Sequence, residues 1–281
     1  MFKKITKPLI MGILNVTPDS FSDGGQYTEI ESAVEQVKKM LEDGADIIDI
    51  GGESTRPGAE SVSAEGQIAR VVPIIKAIRK KISASVWISI DTTLSHVAVA
   101  ALDAGANIIN DISAGQGDKN ILTVASEREV PIILMHMQGT PETMQDNPNY
   151  ADVVSEVIES LKVRADDALK VGIKKENIVL DPGIGFGKRK IDNINLLAHL
   201  SELVDVGYPV LLGTSRKRFM GSICTVSEPF ELVTATAATT ALGVMDGIML
   251  FRVHDVKENR QAADVAWAIK KAKDNCASKT N

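Results

Sequence analysis

The sequence predicts an α/β fold, a single (β/α)8 TIM barrel, on three grounds. Its 281 residues match the size of one complete barrel. Eight short apolar segments, several of them rich in β-branched residues, each run into a polar or Gly-rich stretch. Helical patterns follow most of these segments, as expected for alternating β/α units. We therefore expect one domain over residues 1–281, with a frayed tail at 275–281.

The apolar segments are the predicted strands, and a parallel barrel places all of their carboxyl ends on one rim. Residues that are distant in the sequence can therefore meet in one pocket. The predicted strands are Leu9–Leu14, Asp46–Ile50, Val86–Ile90, Asn107–Ile109, Pro131–Met135, Ile178–Leu180, Pro209–Gly213 and Gly247–Phe251.

Between the strands, apolar residues recur at helical spacing, as Ile30 and Val34 do. Gly44, Gly105 and Gly172 each stand shortly before a predicted strand, which is typical of a glycine that ends a helix. The predicted helices are Glu29–Asp43, Ala64–Lys80, Ala151–Val171, Leu196–Val204, Pro229–Met245 and Asn259–Lys273.

The first two loops that follow strands, Asn15–Thr28 and Gly51–Val62, are long and rich in Gly, Ser, Thr and Pro. Long loops inside a compact domain are commonly functional. Because these loops belong to the rim where a barrel carries out its chemistry, we expect them to be mobile lids.

The composition disfavours several classes of protein. A net charge of −6 and a pI of about 5.4 do not suit a protein that binds nucleic acid or anionic membranes. The most apolar long window, Leu232–Phe251, is interrupted by Gly243 and Asp246, so no membrane span is expected. Cys224 and Cys276 form no CxxC pair, which disfavours a zinc site or a disulfide framework and favours a cytoplasmic location.

Three polar residues, Asp91, Asn110 and Asp181, each follow an apolar strand directly. If they face one crevice, they could be metal ligands, a general acid and base, or residues that bind the nitrogens of a ring. The third role fits because a carboxylate accepts two N–H donors, as a 2-amino-4-oxo pyrimidine edge presents them. A helix N-cap remains an alternative for any one of them. The glycines of 181–188 lack the spacing of a nucleotide-binding P-loop and favour close backbone approach to a flat ligand, with Phe186 as a wall.

Cationic side chains follow other strands. Arg216, Lys217 and Arg218 are consecutive, and such cations repel one another unless an anion is present. Arg252 and His254 alternate along a strand, so they face the same way. With Arg56 they favour an anion pocket, while His254 alone also fits a structural histidine and Arg56 alone an ordinary surface residue.

Two further residues have an open interpretation. Asn15, at the end of the first strand, offers a neutral oxygen to a phosphate-bound Mg²⁺ but also fits a simple turn. His136 follows the fifth strand and has the chemistry of a general base. Because no Ser or Cys nucleophile adjoins it, a structural role fits His136 equally well.

Taken together, these stretches resemble the dihydropteroate synthase family. The segments that carry the likeness, in order from about Leu9 to about Ala268, are MGILNVTPDSFSDGG, GGESTRPG, SIDT, INDIS, MHMQGTP, DPGIGFGK, GTSRK and RVHDV. The resemblance implies a (β/α)8 barrel, usually a homodimer, that acts as a transferase in folate biosynthesis.

The resemblance also implies roles for individual residues of this chain. Catalytic roles are implied for Asp23, Arg56 and Lys217. Pterin binding is implied for Asp91, Asn110, Ile112, Met135, Asp181, Gly213, Lys217 and Arg252. Pyrophosphate binding is implied for Asn15, Thr55, Arg56, Arg252 and His254, and contact with Mg²⁺ for Asn15. Binding of p-aminobenzoate is implied for Phe21, Thr55, Pro57, Phe186, Lys217 and Arg218.

The implied reaction condenses 6-hydroxymethyl-7,8-dihydropterin pyrophosphate with p-aminobenzoate, giving 7,8-dihydropteroate and pyrophosphate, and sulfonamides mimic the second substrate. We expect pyrophosphate to leave before the amine attacks, with Asp23 stabilising the cation that remains. Some family members follow Ser-Arg-Lys with a Ser that meets the carboxylate of p-aminobenzoate, whereas this chain has Arg218. On these roles, we expect Arg252→Ala to weaken anion binding far more than the fold.

Two other functions fit parts of the same pattern. A pterin-binding methyltransferase shares the Asp and Asn floor but does not need the anion pocket of Arg252 and His254. A non-catalytic pterin-binding barrel is expected to lack residues such as Arg56, Lys217 or His254, all of which are present.

Overall fold

The computed structural model describes residues 2, 5–16, 26–54 and 61–277. Within these residues, parallel strands lie at β1 Leu9–Asn15, β2 Ile47–Gly51, β3 Trp87–Asp91, β4 Ile108–Asp111, β5 Ile132–Met135, β6 Ile178–Asp181, β7 Leu211–Leu212 and β8 Leu250–Val253. They form one sheet in the order β6-β5-β4-β3-β2-β1-β8-β7. The sheet closes on itself because Leu180 of β6 pairs with Val210, just before β7. The predicted barrel is confirmed.

Helices alternate with these strands. They are α1 Gln26–Glu42, α2 Ala64–Lys81, α3 Ser95–Ala104, α4 Asn120–Glu127, α5 Val153–Lys170, α6 Lys190–Ala198, α7 Leu200–Val204, α8 Arg218–Cys224, α9 Val233–Asp246 and α10 Val256–Ala277. Short 3-10 turns at Lys175–Asn177 and Pro229–Leu232 precede β6 and α9.

Several helices differ from the prediction for physical reasons. Helix α3 was not predicted, because its Ala- and Val-rich sequence has little polar face to produce a helical period. Helices α4 and α8 were not predicted, because their eight and seven residues are too few to show a helical period. The single helix predicted at Leu196–Val204 is instead α6 and α7, separated at His199, whose φ of −125° and ψ of 29° leave the helical region.

The glycine signals are confirmed. Gly44, Gly105 and Gly172 have φ angles of 99°, 116° and 96°, in the left-handed region that favours glycine. Gly105 is the C-cap of α3, and its N–H donates to the carbonyls of Ala101 and Leu102. The chain can therefore turn sharply from a helix into the next strand.

The barrel interior is layered, and this layering places the site. Toward the amino ends of the strands, inward-facing apolar side chains pack beneath Phe2, and they are Met11, Ile47, Ile108, Ile133, Val179, Leu211 and Leu250. One pleat further along, the inward positions turn polar, with Asp49, Ser89 and Asn110 all buried. The outward-facing residues pack with the helices in a separate large core. The open end of the barrel is thus polar and the other end is plugged.

Some predictions concern the edges of the described chain. Of the two predicted lids, residues 17–25 and 55–60 lie outside the described residues. Helix α10 continues to Ala277, into the tail expected to fray from Asn275, and 278–281 are not described. None of the described helices combines the length and apolar character that a membrane crossing requires.

Candidate active site

A cavity of about 800 Å³ opens at the carboxyl ends of the strands, above the polar layer. Its walls come from strands β1, β4, β5, β6 and β8 and from the segments that follow β2 and β4 to β8. The predicted site residues that line it are Asn15, Asn110, Ile112, Met135, Asp181, Phe186, Gly213, Lys217, Arg218, Arg252 and His254. The predicted residues Phe21, Asp23, Thr55, Arg56 and Pro57 lie outside the described part of the chain.

Pterin binding by Asp91 stays a prediction. Its carboxylate accepts a hydrogen bond from Nη2 of Arg252 at 2.6 Å, and the residue is not among those that line the cavity as the described residues define it. Burial raises the pKa of Asp91, and the neighbouring Arg252 opposes that rise. In this structure, then, Asp91 contacts the guanidinium that lines the cavity.

Asp49 is a functional candidate that the sequence reasoning missed. Its side chain is fully buried, and its Oδ2 accepts from Nε of Arg252 at 2.6 Å and from Nδ2 of Asn110 at 3.2 Å. The charged residue stands inside an apolar strand between Ile48 and Ile50, where it has no strand-end position to mark it. A charge on the inward face of a barrel strand is the signal that reveals it.

The guanidinium of Arg252 lies between Asp49 and Asp91. Burial alone favours its neutral form, but the two carboxylates raise the pKa of Arg252 above its ordinary value. Nε and Nη2 are each engaged with one carboxylate, so a guanidinium with five N–H donors keeps others for a ligand. Asp49 and Asp91 therefore fix its orientation without using all of its donors.

Asp181 ends β6 on the cavity wall. It is 5% exposed, and its Oδ1 accepts from the N–H of Gly183 at 2.7 Å. Burial raises the pKa of Asp181 to about 6, while the Gly183 N–H and then Lys217 oppose the rise. Since one hydrogen bond holds one oxygen, the carboxylate keeps acceptor sites for a ligand with two N–H groups.

Lys217 and Phe186 form a second part of the wall. Nζ of Lys217 lies 4.1 Å from the centre of the Phe186 ring, within the range of a cation–π contact. Burial, and then Arg252, lower the pKa of Lys217 to about 8. A flat aromatic ligand with an anionic group matches this pairing of a ring and an ammonium.

The three consecutive cations expected to repel one another are separated by the fold. Arg216 has a φ of 58° and forms two hydrogen bonds with Asp255, at 3.0 and 2.6 Å. Lys217 precedes the first residue of α8, and Arg218 is exposed at the cavity rim. Asp255 thus neutralises one cation, so the strand end does not require an anion for all three.

His254 is oriented by Ser215. The Ser215 hydroxyl oxygen accepts the backbone N–H of His254 at 3.1 Å and lies 3.0 Å from Nδ1 of the same ring. The hydroxyl can donate to Nδ1 or accept from Nδ1–H, according to the tautomer of the ring. Ser215 therefore fixes the orientation of the imidazole on the cavity wall.

His136, the alternative general base, contacts Lys188 and is not among the described residues that line the cavity. Its Nδ1 lies 2.9 Å from the ammonium of Lys188. Burial, and then the charge of Lys188, lower the pKa of His136 to about 3. The geometry supports the structural alternative for His136.

Comparison with known proteins places this geometry in a family. The profile described as "Pterin binding enzyme" matches residues 11–254. The chain is 49% identical to the dihydropteroate synthase of Clostridium beijerinckii, over 92% of this chain and 93% of that one. It is 47% identical to the dihydropteroate synthase of Synechocystis, over 92% of this chain and 89% of that one.

Solved structures agree. A Clostridium difficile dihydropteroate synthase, crystallised in the presence of pteroic acid, superposes with a TM-score of 0.89 at 45% identity, over 96% of this chain and 99% of that one. A Xanthomonas albilineans dihydropteroate synthase with 4-aminobenzoic acid gives 0.88 at 43% identity, covering 95% and 94%. A Yersinia pestis dihydropteroate synthase with a sulfonamide drug gives 0.88 at 41% identity, covering 95% and 96%. The chain belongs to the pterin-binding enzyme family and, within it, to the dihydropteroate synthases.

Proposed function

We propose that this cavity is where the chain condenses 6-hydroxymethyl-7,8-dihydropterin pyrophosphate with p-aminobenzoate to give 7,8-dihydropteroate and pyrophosphate. The observation that carries the proposal is the convergence of Asp181, Asn110, Arg252, Lys217 and Phe186 on one cavity. It joins buried acceptors, cations and an aromatic wall in a single space. Relatives solved with pteroic acid and with 4-aminobenzoic acid support the same substrates for this chain.

The floor of the cavity is the proposed pterin subsite. The ionised carboxylate of Asp181 accepts the two N–H groups of the 2-amino-4-oxo edge, and the Asn110 amide reads the opposite side of the ring. Asn110 is held by Asp49 through its Nδ2, which leaves its oxygen as an acceptor. The residues proposed to surround the ring are Ile112, Met135, Gly213, Lys217 and Arg252. Asp91 is proposed to act here through Arg252.

The pyrophosphate and p-aminobenzoate subsites adjoin this floor. Arg252 and His254 line the cavity and are proposed to bind the diphosphate. Thr55 and Arg56 are proposed to add to them from outside the described residues. Phe186, Lys217 and Arg218 form the proposed wall for p-aminobenzoate and for sulfonamides. Phe21, Thr55 and Pro57 complete that proposal, again outside the described residues.

The chemistry required of these residues is electrostatic. The bond between the methylene carbon and the pyrophosphate oxygen breaks, its electron pair leaves with the pyrophosphate, and the dihydropterin ring delocalises the resulting positive charge. Arg252 stabilises the departing anion. The amine nitrogen of p-aminobenzoate then bonds to the methylene carbon and loses a proton. Because an aryl amine is already a nucleophile, no strong base is needed, and we propose that Asp23 stabilises the cation.

Mg²⁺ is proposed as the cofactor, and the donor set suits an ion held mainly by its ligand. No group of three or more His, Cys, Asp or Glu side chains converges as a metal site within the residues the structure describes. Mg²⁺ commonly keeps several waters and binds substrate phosphates with few protein ligands. Asn15, on the cavity wall, would supply a neutral oxygen. When bound, the ion supplies positive charge to the diphosphate.

The reaction is tested by mixing the protein with the pterin pyrophosphate, p-aminobenzoate and Mg²⁺ and measuring dihydropteroate by mass spectrometry. Dihydropteroate and pyrophosphate are expected in equal amounts. Bound pterin without product would indicate a non-catalytic barrel. Transfer of a labelled methyl group from methyltetrahydrofolate would indicate the methyltransferase instead.

A pH dependence follows from Asp181. Its carboxyl must be ionised to accept two N–H groups, and its pKa is about 6. Affinity for 6-hydroxymethylpterin, which carries no phosphate, should therefore rise about tenfold from pH 5 to pH 7. Calorimetry measures this rise, and Asp181→Asn should abolish it. An equal rise in the variant would contradict the assignment.

The raised pKa of Asp181 also affects the stability of the fold, in the opposite direction: affinity rises with pH, whereas stability falls. Because the folded-state pKa of Asp181 is raised, the folded protein binds a proton more tightly than the unfolded chain does. The contribution is fully present below the unfolded pKa, near 4, and is lost as the pH rises through about 6. It amounts to about 3 kcal/mol of unfolding free energy, measured as the difference between the protein and Asp181→Asn.

A homodimer is proposed, with an apolar face on α9 and α10 as its interface. Leu242, Val265 and Ile269 are 63%, 62% and 50% exposed on these neighbouring helices. We expect Leu242→Glu combined with Ile269→Glu to give monomers, since a buried unpaired carboxylate is costly. Light scattering measures the mass, with Val163→Glu on α5 as the control. A dimer that persists in the double variant would reject this surface.

We also propose that residues 1–281 are one domain and that the protein is cytoplasmic. The profile match from 11 to 254 spans most of the chain without a division. Cys224 and Cys276 are both free and exposed, which suits a reducing compartment.

A further inference from the structure

The loop after β6, residues 182–189, packs against the segment that follows β5 through backbone contacts. We call this contact region, between residues 182–189 and 136–138, the seat. A Cβ on Gly183 would lie 1.9 Å from the carbonyl oxygen of His136, and one on Gly187 would lie 2.3 Å from that of Gln138. Tyr150 adds a hydrogen bond from its hydroxyl to the Gly187 carbonyl at 2.7 Å. The two backbones therefore approach more closely than any side chain at these glycines would permit.

Lys188 lies at the centre of this seat and is only 3% exposed. Its ammonium donates to the carbonyls of Gly183 and Phe186, each at 3.0 Å, and contacts Nδ1 of His136 at 2.9 Å. The His136 carbonyl lies further away, at 3.4 Å, so the three hydrogens of the ammonium are shared among four acceptors. Burial lowers the pKa of Lys188 to about 7, so holding a charge here is costly. The charges of Asp181 and Asp192 favour its ammonium form.

The contacts of Lys188 fix the backbone of Phe186. The Phe186 carbonyl accepts from Lys188, and the Phe186 N–H donates to the Gly183 carbonyl at 3.0 Å. That same Gly183 carbonyl also accepts from Lys188. With both backbone groups of Phe186 engaged, its ring is held where Nζ of Lys217 lies over it.

We propose that Lys188 is a positioning residue: by gathering the backbone carbonyls of the loop after β6, it sets the Phe186 wall and thereby the affinity for p-aminobenzoate. The proposal rests on the proposed function, which assigns Phe186 to that subsite. Lys188 acts through Phe186 and does not itself take part in the reaction.

The test uses Lys188→Met, which keeps the length of the side chain and removes its hydrogen-bond donors. KM for p-aminobenzoate is expected to rise by about tenfold or more, because the released loop no longer holds Phe186, and to rise at least about threefold more than KM for the pterin pyrophosphate. Ile75→Val, a buried change in α2, is the control for lowered stability and should alter neither KM. An equal rise in both KM values, or no rise, would overturn the proposal.

A double variant distinguishes positioning from general damage. In a Phe186→Leu background, Lys188→Met should raise KM for p-aminobenzoate much less than it does alone, because residues that act as one unit are not additive. Full additivity would overturn the proposal. If Phe186→Leu alone leaves KM for p-aminobenzoate unchanged, the assignment of Phe186 fails instead.

Tyr150→Phe keeps the proposal testable if Lys188→Met does not fold. It removes one hydrogen bond from the same seat and leaves the ring in place. KM for p-aminobenzoate should rise by a smaller factor, and KM for the pterin pyrophosphate should stay the same. An unchanged ratio of the two KM values would count against Lys188.

Discussion

Asp181→Ala is expected to abolish measurable binding of the dihydropterin pyrophosphate. The carboxylate is buried on the cavity wall and, in the proposed pose, accepts two N–H groups of the ring. Hydrogen bonds to a charged group contribute about 1.5–3 kcal/mol each, so losing two lowers affinity by at least about a hundredfold. Isothermal titration calorimetry with the pterin pyrophosphate measures the change.

Asp111→Ala is the matched control for this substitution. Asp111 is also a buried carboxylate at the end of a strand, but its oxygens accept from Ser113 and Gly115 within its own turn. Its loss should lower stability and leave the affinity of the folded protein unchanged. Normal pterin binding by Asp181→Ala would remove Asp181 from the subsite.

Substitution of Arg252 is expected to have the second large effect, on both binding and stability. The structure revises the sequence-based expectation that the fold would be little affected, because Arg252→Ala leaves the buried Asp49 and Asp91 without their cation. Breaking a buried ion pair costs about 3–5 kcal/mol of stability. Loss of a charged contact to the diphosphate should weaken pyrophosphate binding by at least about thirtyfold, or about 2 kcal/mol.

The two effects can be separated. Adding Asp49→Asn to Arg252→Ala removes one of the unpaired charges while keeping the shape of the side chain. Chemical denaturation should show part of the lost stability restored, and calorimetry should show pyrophosphate affinity still low. Recovery of affinity together with stability would mean that Arg252 supports the fold and does not bind the anion.

The fold was predictable because its determinants are local. Short β-branched strands and glycines such as Gly105 act over a few residues, and each repeats around the barrel. The strands reach one residue further than predicted at Asp91 and Asp181, because pairing with the neighbouring strand continues to the polar residue. Helix α3 was missed because burial holds it in place more than its own periodicity does.

The site was predictable where a residue stands at a strand end, since barrel geometry alone brings Asn110, Asp181 and Arg252 together. Asp49 was not predicted from the sequence, because its partners come from β4 and β8 and only the closed barrel brings them near. Lys188 escaped for another reason. It binds main-chain carbonyls, which every residue has, so nothing in the sequence marks its partners.

Closure of the barrel is uneven, and this has a consequence for its ligands. Strand β7 has two residues, and the joint with β6 is the Leu180–Val210 bridge just before it. Asp181 stands on one side of this narrow joint and Arg252, on β8, on the other. A pterin pyrophosphate bound by both residues would link β6 to β8 across this joint. Bound substrate would then stabilise the barrel where its strand pairing is shortest. The melting temperature should therefore be higher with the substrate than without it.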